Sequence, residues 1–317
     1  MEPVVGIPRA LLYYHYNWLW ENFFNFLGVE VIVSPPTNKQ ILNNGVSFSV
    51  DEACLPVKVF MGHCFEIKDK VDYIFLPRMI SGKKREYFCP KLMGIPDMVK
   101  NNLSNLPSLI IPTIDLSKSK RNLYPALFEI GKMLGKKEKK IIDSYNKALK
   151  IWEKERKQKV LETSIQPKGK GFSQDKPKIA VISHSYTLYD NYMNMDLIKR
   201  LQTMGVETIL PEMLPSWAIE KGLSTFNKRM YWSLGRRIMG SAKYYFNHPE
   251  CIDGIILLVA FGCGPDSLIG ELIEREAKRI KKLPLLLLTL DEHSGEAGLI
   301  TRIEAFIDLI QRRKKVG

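Results

Sequence analysis

Parts of this chain recur within it at a nearly fixed distance. Leu27-Gly28-Val29-Glu30-Val31 returns as Met204-Gly205-Val206-Glu207-Thr208, 177 residues on, and Asp72-Tyr73-Ile74-Phe75-Leu76 returns as Asp253-Gly254-Ile255-Ile256-Leu257, 181 residues on. Residues 4–10 line up with 181–187 at the first of these offsets. Near-equal offsets in separate segments mark two related units, each of which must bury its own core. The pattern inside each unit is short apolar runs alternating with helical stretches. In the first, Val4–Ile7, 30–34, 72–76 and 109–111 read as strands, with a helix over 10–27 closed by Gly28. In the second, strands are expected at 178–183, 206–210, 253–260 and Leu285–Leu290, with helices at 196–204 and 299–311. Strands separated by helices imply a parallel sheet covered on both faces. The expected fold class is therefore α/β: two lobes with mostly parallel sheets, joined by a helical connector. The expected boundaries are 1–116, 117–176 and 177–317, with a helical insertion near 213–248.

The connector has its own signature. Ile141, Ile142, Tyr145, Ala148, Leu149 and Trp152 fall on one stripe of a 3.6-residue helix, with lysines opposite. Residues 166–178, with Pro167, Gly169, Gly171 and Pro177, have the composition of a linker. The insertion is rich in aromatics (Trp217, Tyr231, Trp232, Tyr244, Tyr245), read as core packing. The chain carries 47 Lys+Arg against 34 Asp+Glu, a net +13 over 317 residues. Of this, residues 118–170 hold 16 Lys+Arg and 6 Asp+Glu, which leaves +3 for the other 264 residues. A nucleic-acid footprint is a basic face on a folded domain. Charge confined to a connector reads as a solvated helix face, so no nucleic-acid partner is expected. The longest apolar runs, 255–264 and 283–290, are shorter than the ~18–20 residues of a membrane span. The N-terminal segment lacks the basic start of an export signal. The chain is expected to be cytoplasmic, with its five cysteines reduced.

Three of those cysteines stand in special contexts: Glu52-Ala53-Cys54-Leu55-Pro56-Val57-Lys58, Tyr87-Phe88-Cys89-Pro90-Lys91 and Phe261-Gly262-Cys263-Gly264-Pro265-Asp266-Ser267. In open parallel sheets, ligands bind beyond the carboxyl ends of the strands. Cys89 follows the 72–76 strand and Cys263 the 253–260 strand, which puts both on that edge. Gly262 and Gly264 allow the backbone to approach a bound group, and the helix expected after Cys263 supplies amides that favour a thiolate. Without a Cys-x-x-Cys pair, a zinc ribbon and a bacterial ferredoxin motif are disfavoured. Three dispersed thiols are left that could meet at one metal site. Cys64 and Cys251 read as small buried hydrophobes.

Polar groups also collect at strand ends. Ser183-His184-Ser185-Tyr186 follows one strand and Asp291-Glu292-His293 another. His184, Glu292 and His293 suit general acid–base work, and equally suit caps and loop hydrogen bonds. No phosphate-binding Gly-rich loop and no Gly-x-Ser-x-Gly elbow is present, which argues against nucleotide hydrolysis and serine-hydrolase chemistry by this chain.

Taken in order, Gly6-Ile7-Pro8-Arg9, Phe23-Phe24-x-x-Leu27-Gly28, Ser34-Pro35-Pro36-Thr37, Glu52-x-Cys54-x-Pro56-x-Lys58, Gly62-His63 and Cys89-Pro90-Lys91 with Pro96-Asp97 resemble the 2-hydroxyacyl-CoA dehydratase-like proteins related to acyl-CoA dehydratase activases. The second half agrees through His184-x-Tyr186-x-x-Tyr189-Asp190, the Cys263 segment and Asp291-Glu292-His293-x-Gly295-Glu296-x-Gly298-x-x-Thr301-Arg302. The resemblance implies two Rossmann-like lobes and a 4Fe-4S cluster, with Cys54, Cys89 and Cys263 as ligands and Gly262 and Gly264 beside it. It implies as partner an ATP-dependent activator protein that donates a low-potential electron, and as substrate a CoA thioester or similar small molecule. It also implies dehydratase- or reductase-like radical chemistry, with a homo- or hetero-dimer as the working form. Two other classes stand beside this reading: a non-catalytic electron-transfer or cluster-handling subunit, and a structural protein whose cysteines take zinc.

Overall fold

The computed structural model describes residues 2–163, 176–225 and 229–316. The chain divides into two compact units, Met1–Gln158 with Tyr231–Ser233, and Lys159–Met230 with Leu234–Gly317. The first runs β1 (Val4–Ile7), α1 (Tyr13–Leu27), β2 (Glu30–Val33), α2 (Lys39–Ser47), α3 (Leu55–Ile67), β3 (Tyr73–Phe75), β4 (Arg78–Ser81), α4 (Pro90–Asn102), β5 (Ser108–Ile110), β6 (Thr113–Asp115), α5 (Leu123–Met133) and α6 (Glu138–Thr163), the last crossing the division. The second runs β7 (Lys178–Ile182), α7 (Ser185–Leu188), α8 (Leu197–Thr203), β8 (Glu207–Ile209), α9 (Ser216–Ser224), α10 (Ser233–Asn247), β9 (Gly254–Ala260), α11 (Gly264–Ile280), β10 (Leu285–Leu290) and α12 (Glu296–Val316). The expected linker falls largely on residues 164–175, outside the described residues.

The two main sheets have one topology. Strand order is β2-β1-β3-β5 in the first unit and β8-β7-β9-β10 in the second, every pairing parallel. Each is covered by its crossover helices, so the central strands are mostly apolar: Val5 and Ile74 in one, Ile179, Ala180, Ile255 and Ile256 in the other are all fully buried. The registers correct one detail of the sequence alignment. Gly6 sits beside Ile32 and Ile74, and Ala180 beside Ile209 and Ile255. The second and third strands therefore correspond at the offsets expected. The first strands correspond at Gly6 and Ala180, three residues away from the alignment of 4–10 with 181–187.

Shared devices support this correspondence. Asp72 and Asp253 precede β3 and β9. The Asp72 carboxylate accepts from Val4 N–H at 2.9 Å, and Asp253 from Lys178 N–H at 2.7 Å. Each Asp amide donates back to the same residue's carbonyl. Gly28 ends α1 with φ +71°, and Gly205 follows α8 with φ +76°. The pairs α2–α3 and α9–α10 each cross through two glycines. A Cβ at Gly45 would lie 1.9 Å from Lys58 O and one at Gly62 1.9 Å from Ile41 O, while one at Gly222 would lie 2.1 Å from Gly240 O and one at Gly240 2.8 Å from Ile219 O.

Several expectations shift. The first helix begins at Tyr13 and not at residue 10. Arg9 N–H is drawn to Ser34 Oγ at 2.7 Å, and Leu11 takes φ +50°, so the chain turns before it coils. The strands expected to stop at Leu76 and Ile111 resume as β4 and β6. Pro77 and Pro112 break the ladder without ending the pairing, because Leu76 N–H reaches Ile110 O and Arg78 N–H reaches Pro112 O. Cys89 thus follows β4 and a turn, not the 72–76 strand directly. The connector stripe packs on α1: Trp152 stacks on Tyr16 and donates to His15 O at 3.0 Å, and Tyr145 meets Phe23 edge-on. Lys139 and Lys140 are exposed, whereas Lys136 is half-buried and donates to Gly28 O at 3.1 Å. In the insertion Tyr244 and Tyr245 are core residues, but Trp217 and Tyr231 are exposed, at 59% and 56%, so the core reading fails for those two. No helix among the described residues is long and apolar enough to cross a membrane.

Candidate functional site

Cys54, Cys89 and Cys263 occupy one kind of position. Each is the N-cap of a long helix, in extended conformation, with a proline in the first turn: Cys54 before α3 (φ −69°, ψ 152°), Cys89 before α4 (−69°, 155°) and Cys263 before α11 (−88°, 109°). Proline is favoured there because its missing N–H costs nothing in the first turn and its fixed φ starts the helix. The unpaired amides of that turn face the cap residue's side chain and favour negative charge on it.

In the first unit, two of these caps are neighbours. Lys91 Nζ donates to Glu52 O at 2.7 Å and ties the start of α4 to the loop that delivers Cys54. Cys54 is buried and Cys89 half-buried. Burial pushes the Cys89 thiol up and the adjacent Cys54 adds to the rise, while the Leu92 and Lys91 amides and the Lys91 ammonium pull the other way. Two thiols whose charges are felt by one another, each at a helix N-terminus, form a donor pair suited to a thiophilic metal.

In the second unit, Cys263 follows Gly262, whose φ of +72° makes the turn that points the chain into α11. Nothing lies within 4 Å of where a Cβ on Gly264 would stand. Beside Cys263 is His184, the first residue after β7 and Ser183. His184 Nε2 lies 2.8 Å from Asp266 Oδ1, and Asp266 Oδ2 accepts from Ala260 N–H at 3.0 Å. One ligand atom each from His184, Cys263 and Asp266 lie within 4.8 Å of one another, and all three residues are buried. They gather where the loops after the adjacent strands β7 and β9 diverge, the switch point at which open α/β sheets bind ligands.

A family model described as "CoA enzyme activase uncharacterised domain (DUF2229)" matches residues 4–214. The chain belongs to that family. It is therefore a CoA enzyme activase-related protein. The matched span includes Cys54, Cys89 and His184, and ends before Cys263, Asp266, Glu292 and His293. No curated protein matches the chain.

The other candidates in this activase-related chain sit as follows. Glu292 is half-buried and His293 exposed, on the loop after β10. They share the carboxyl edge of the sheet but are not part of the His184–Cys263–Asp266 group. Their loop is shaped by Asp291, which accepts from His293 N–H and Ser294 Oγ at 2.9 Å each. Cys64 is fully buried inside α3, its thiol pushed well up by burial. Cys251 lies in a short turn at the amino end of β9, and burial together with Glu250 raises it. The segments around Arg9, Ser34, Thr37 and His63 fold into one buried network. His63 Nδ1 meets Ser34 Oγ at 2.8 Å, its Nε2 meets Thr37 Oγ1 at 2.9 Å, and burial with the Arg9 charge lowers its pKa to about 3. This neutral imidazole fastens the end of β2 to α3. Sequence reasoning assigned no role to Asp266. As the third residue of a helix, an Asp is satisfied by the helix dipole alone, and only the fold brings it to His184. An apolar cavity of about 60 Å³ at the β1/β3 switch point was also not foreseen. It is lined by Pro8, Leu11, Tyr13, Phe60, Leu76 and Leu92 among others.

Proposed function

We propose that this CoA enzyme activase-related protein holds a 4Fe-4S cluster on Cys54, Cys89 and Cys263, is reduced by an ATP-dependent activator protein, and acts on a CoA thioester or similar small substrate. The observation that carries the reading is the shared capping position of the three thiols, two of them on segments tied together by Lys91 Nζ and Glu52 O. Bound there, such a cluster supplies a low-potential electron. The helix-terminal amides stabilise thiolate charge, and Lys91 holds the Cys54 and Cys89 loops in fixed relation. The cavity lined by Leu11, Phe60 and Leu92 is the proposed seat of an apolar substrate group. His184, with Asp266 accepting at Nε2, and Glu292 and His293 are the proposed polar groups at the other unit's sheet edge.

Iron and acid-labile sulfide, measured on anaerobically purified protein, test the reading. The wild type should contain both in near-equal amounts, and Cys54→Ala, Cys89→Ala and Cys263→Ala should each lose most of them. A full complement of iron in Cys263→Ala refutes it. Zinc in place of iron and sulfide supports the structural alternative. A cluster that exchanges electrons with the activator but leaves thioesters unchanged supports the electron-transfer alternative.

A further inference from the structure

We infer that His184 is a metal ligand through Nδ1, adjacent to Cys263, and that Asp266 is the positioning residue that makes it one. The inference shares Cys263 with the proposed cluster but does not depend on which metal or cluster is bound.

Three observations converge. One ring nitrogen of His184, the Cys263 thiol and one Asp266 carboxylate oxygen lie within 4.8 Å of one another, and all three residues are withdrawn from solvent. His184 Nε2 is committed to Asp266 Oδ1 at 2.8 Å, which leaves Nδ1 as the nitrogen for a metal. Asp266 Oδ2 is committed in turn to Ala260 N–H at 3.0 Å. A ligating histidine almost always gives its other N–H to a carboxylate or carbonyl, which fixes ring orientation and tautomer. Here the carboxylate is itself fixed by a backbone amide at the end of β9, and the thiol that would share the metal starts the helix carrying that carboxylate. Tyr186 stacks on the imidazole at 4.8 Å between ring centres and limits its rotation. A mixed nitrogen–sulfur donor set of this kind suits a first-row divalent ion of borderline softness.

The hydrogen bonds set a test that burial alone would not pass. In Asp266→Asn, Ala260 N–H still demands an acceptor, so the amide oxygen takes the Oδ2 place and the NH₂ faces His184. A donor at that position forces Nε2 to accept and moves the ring proton to Nδ1, which removes the lone pair the metal needs. The side-chain volume is almost unchanged. His184→Gln does the complementary thing: its amide can keep a bond to Asp266 but offers no ring nitrogen.

Co²⁺ is the probe, titrated anaerobically into the full chain carrying Cys54→Ala and Cys89→Ala, with thiolate-to-cobalt absorbance as the readout and circular dichroism as the check on folding. The expected result is a charge-transfer band that disappears in Cys263→Ala, with Co²⁺ affinity about 10–100-fold weaker in Asp266→Asn and weakened at least as much in His184→Gln. If Asp266→Asn does not fold, His184→Gln decides. Absence of the band in the host chain, or affinity unchanged in the folded variants, overturns the inference. Iron and sulfide content of the wild type decides the cluster reading separately. A chain that binds Co²⁺ as described yet assembles no cluster refutes only the latter, and a full cluster with Co²⁺ binding indifferent to His184 and Asp266 refutes only the former.

Discussion

Gly45→Ala should loosen the first unit and disturb Cys54 without touching it. A Cβ at Gly45 would stand 1.9 Å from Lys58 O and 2.7 Å from its carbonyl carbon, where ordinary contact begins at 3.4 Å. The obstacle is backbone, so no rotamer relieves it, and α2 and α3 must part by about 1.5 Å at a crossing packed to crystal-like density. Overpacking of this sort costs ~1–3 kcal/mol, and the upper end applies because neither partner can swing aside. Alanine's helix propensity recovers ~1 kcal/mol, so the net loss should be about 2 kcal/mol. Gly94 in α4 is the control: nothing lies within 4 Å of its added Cβ, so Gly94→Ala should gain ~0.5–1 kcal/mol from propensity alone. Denaturant unfolding measures both, provided the slope of stability against denaturant is unchanged. Because α3 begins at Cys54 and metal–ligand distances tolerate only ~0.2 Å, Gly45→Ala should also lower metal retention at that thiol. A Gly45→Ala chain as stable as the wild type, or a Gly94→Ala chain destabilised equally, would refute the argument from backbone contact.

The His63 imidazole is neutral when folded and titrates near 6.5 when unfolded, so below that pH the unfolded chain binds the extra proton. Its contribution is complete above about pH 6.5 and falls by roughly 1.4 kcal/mol per unit as pH drops towards 3. Denaturation midpoints between pH 7 and 5.5 should therefore fall less steeply in His63→Gln than in the wild type. Asp72→Ala and Asp253→Ala each remove a side-chain acceptor for the first strand of their unit and should each cost ~1 kcal/mol by thermal or chemical melting, with nearly additive effects in the double variant. Cys64, fully buried with a raised thiol pKa, should resist iodoacetamide in the folded chain and react on unfolding, as peptide mapping will show. Trp217→Ser, at a side chain that is 59% exposed, should change stability by no more than about 0.5 kcal/mol.

What could be read in the sequence was what local pattern dictates. The strands were legible as apolar runs because buried parallel strands are apolar on both faces, and Leu285–Leu290 was located to the residue. Gly28 was legible because its left-handed cap admits glycine with least strain. β4 and β6 were not, because prolines in mid-ladder look like strand ends when the partner that bridges them is ~35 residues away. The exposed Trp217 and Tyr231 were misread because aromatic composition signals a core only when periodicity places it there, and Tyr231 instead stacks on Tyr87 next to the isolated Tyr87–Trp232 bridge. The Cys263 context was legible as a helix start, while the helix starts at Cys54 and Cys89 were not expected, and the His184–Asp266 contact, across 82 positions of chain, has no local trace.

The duplicated architecture gives a reason for the asymmetry of the donors. Gly45 and Gly62 correspond to Gly222 and Gly240, which aligns α3 with α10 and puts Trp232 where the first unit has Cys54. Cys263 caps the helix directly after β9, the third strand of its sheet, and Cys89 caps the first helix after β3, the third strand of its own, with β4 in between. Matching Gly6 with Ala180 puts His184 where the first unit has Ala10, a residue too small to donate anything. Each unit therefore keeps one thiol at the shared position and adds one further donor group, from the α3 cap in the first and from the end of β7 in the second. In the proposed reading the position before α10 carries no thiol, and His184, held by Asp266, is the second unit's further donor. Restoring that thiol therefore has a defined outcome. In a Trp232→Cys variant, which restores the missing thiol position, iron retention should not improve, because α10 begins with Ser233-Leu234-Gly235 and lacks the first-turn proline that sets the extended cap at all three cysteines. Trp232→Cys with Leu234→Pro, which copies the Cys-x-Pro spacing of Cys54, is the variant in which a new metal-binding thiol should appear by Co²⁺ absorbance. If the single variant binds as well as the double, the proline-set cap is not what would make these cysteines ligands in the proposed reading.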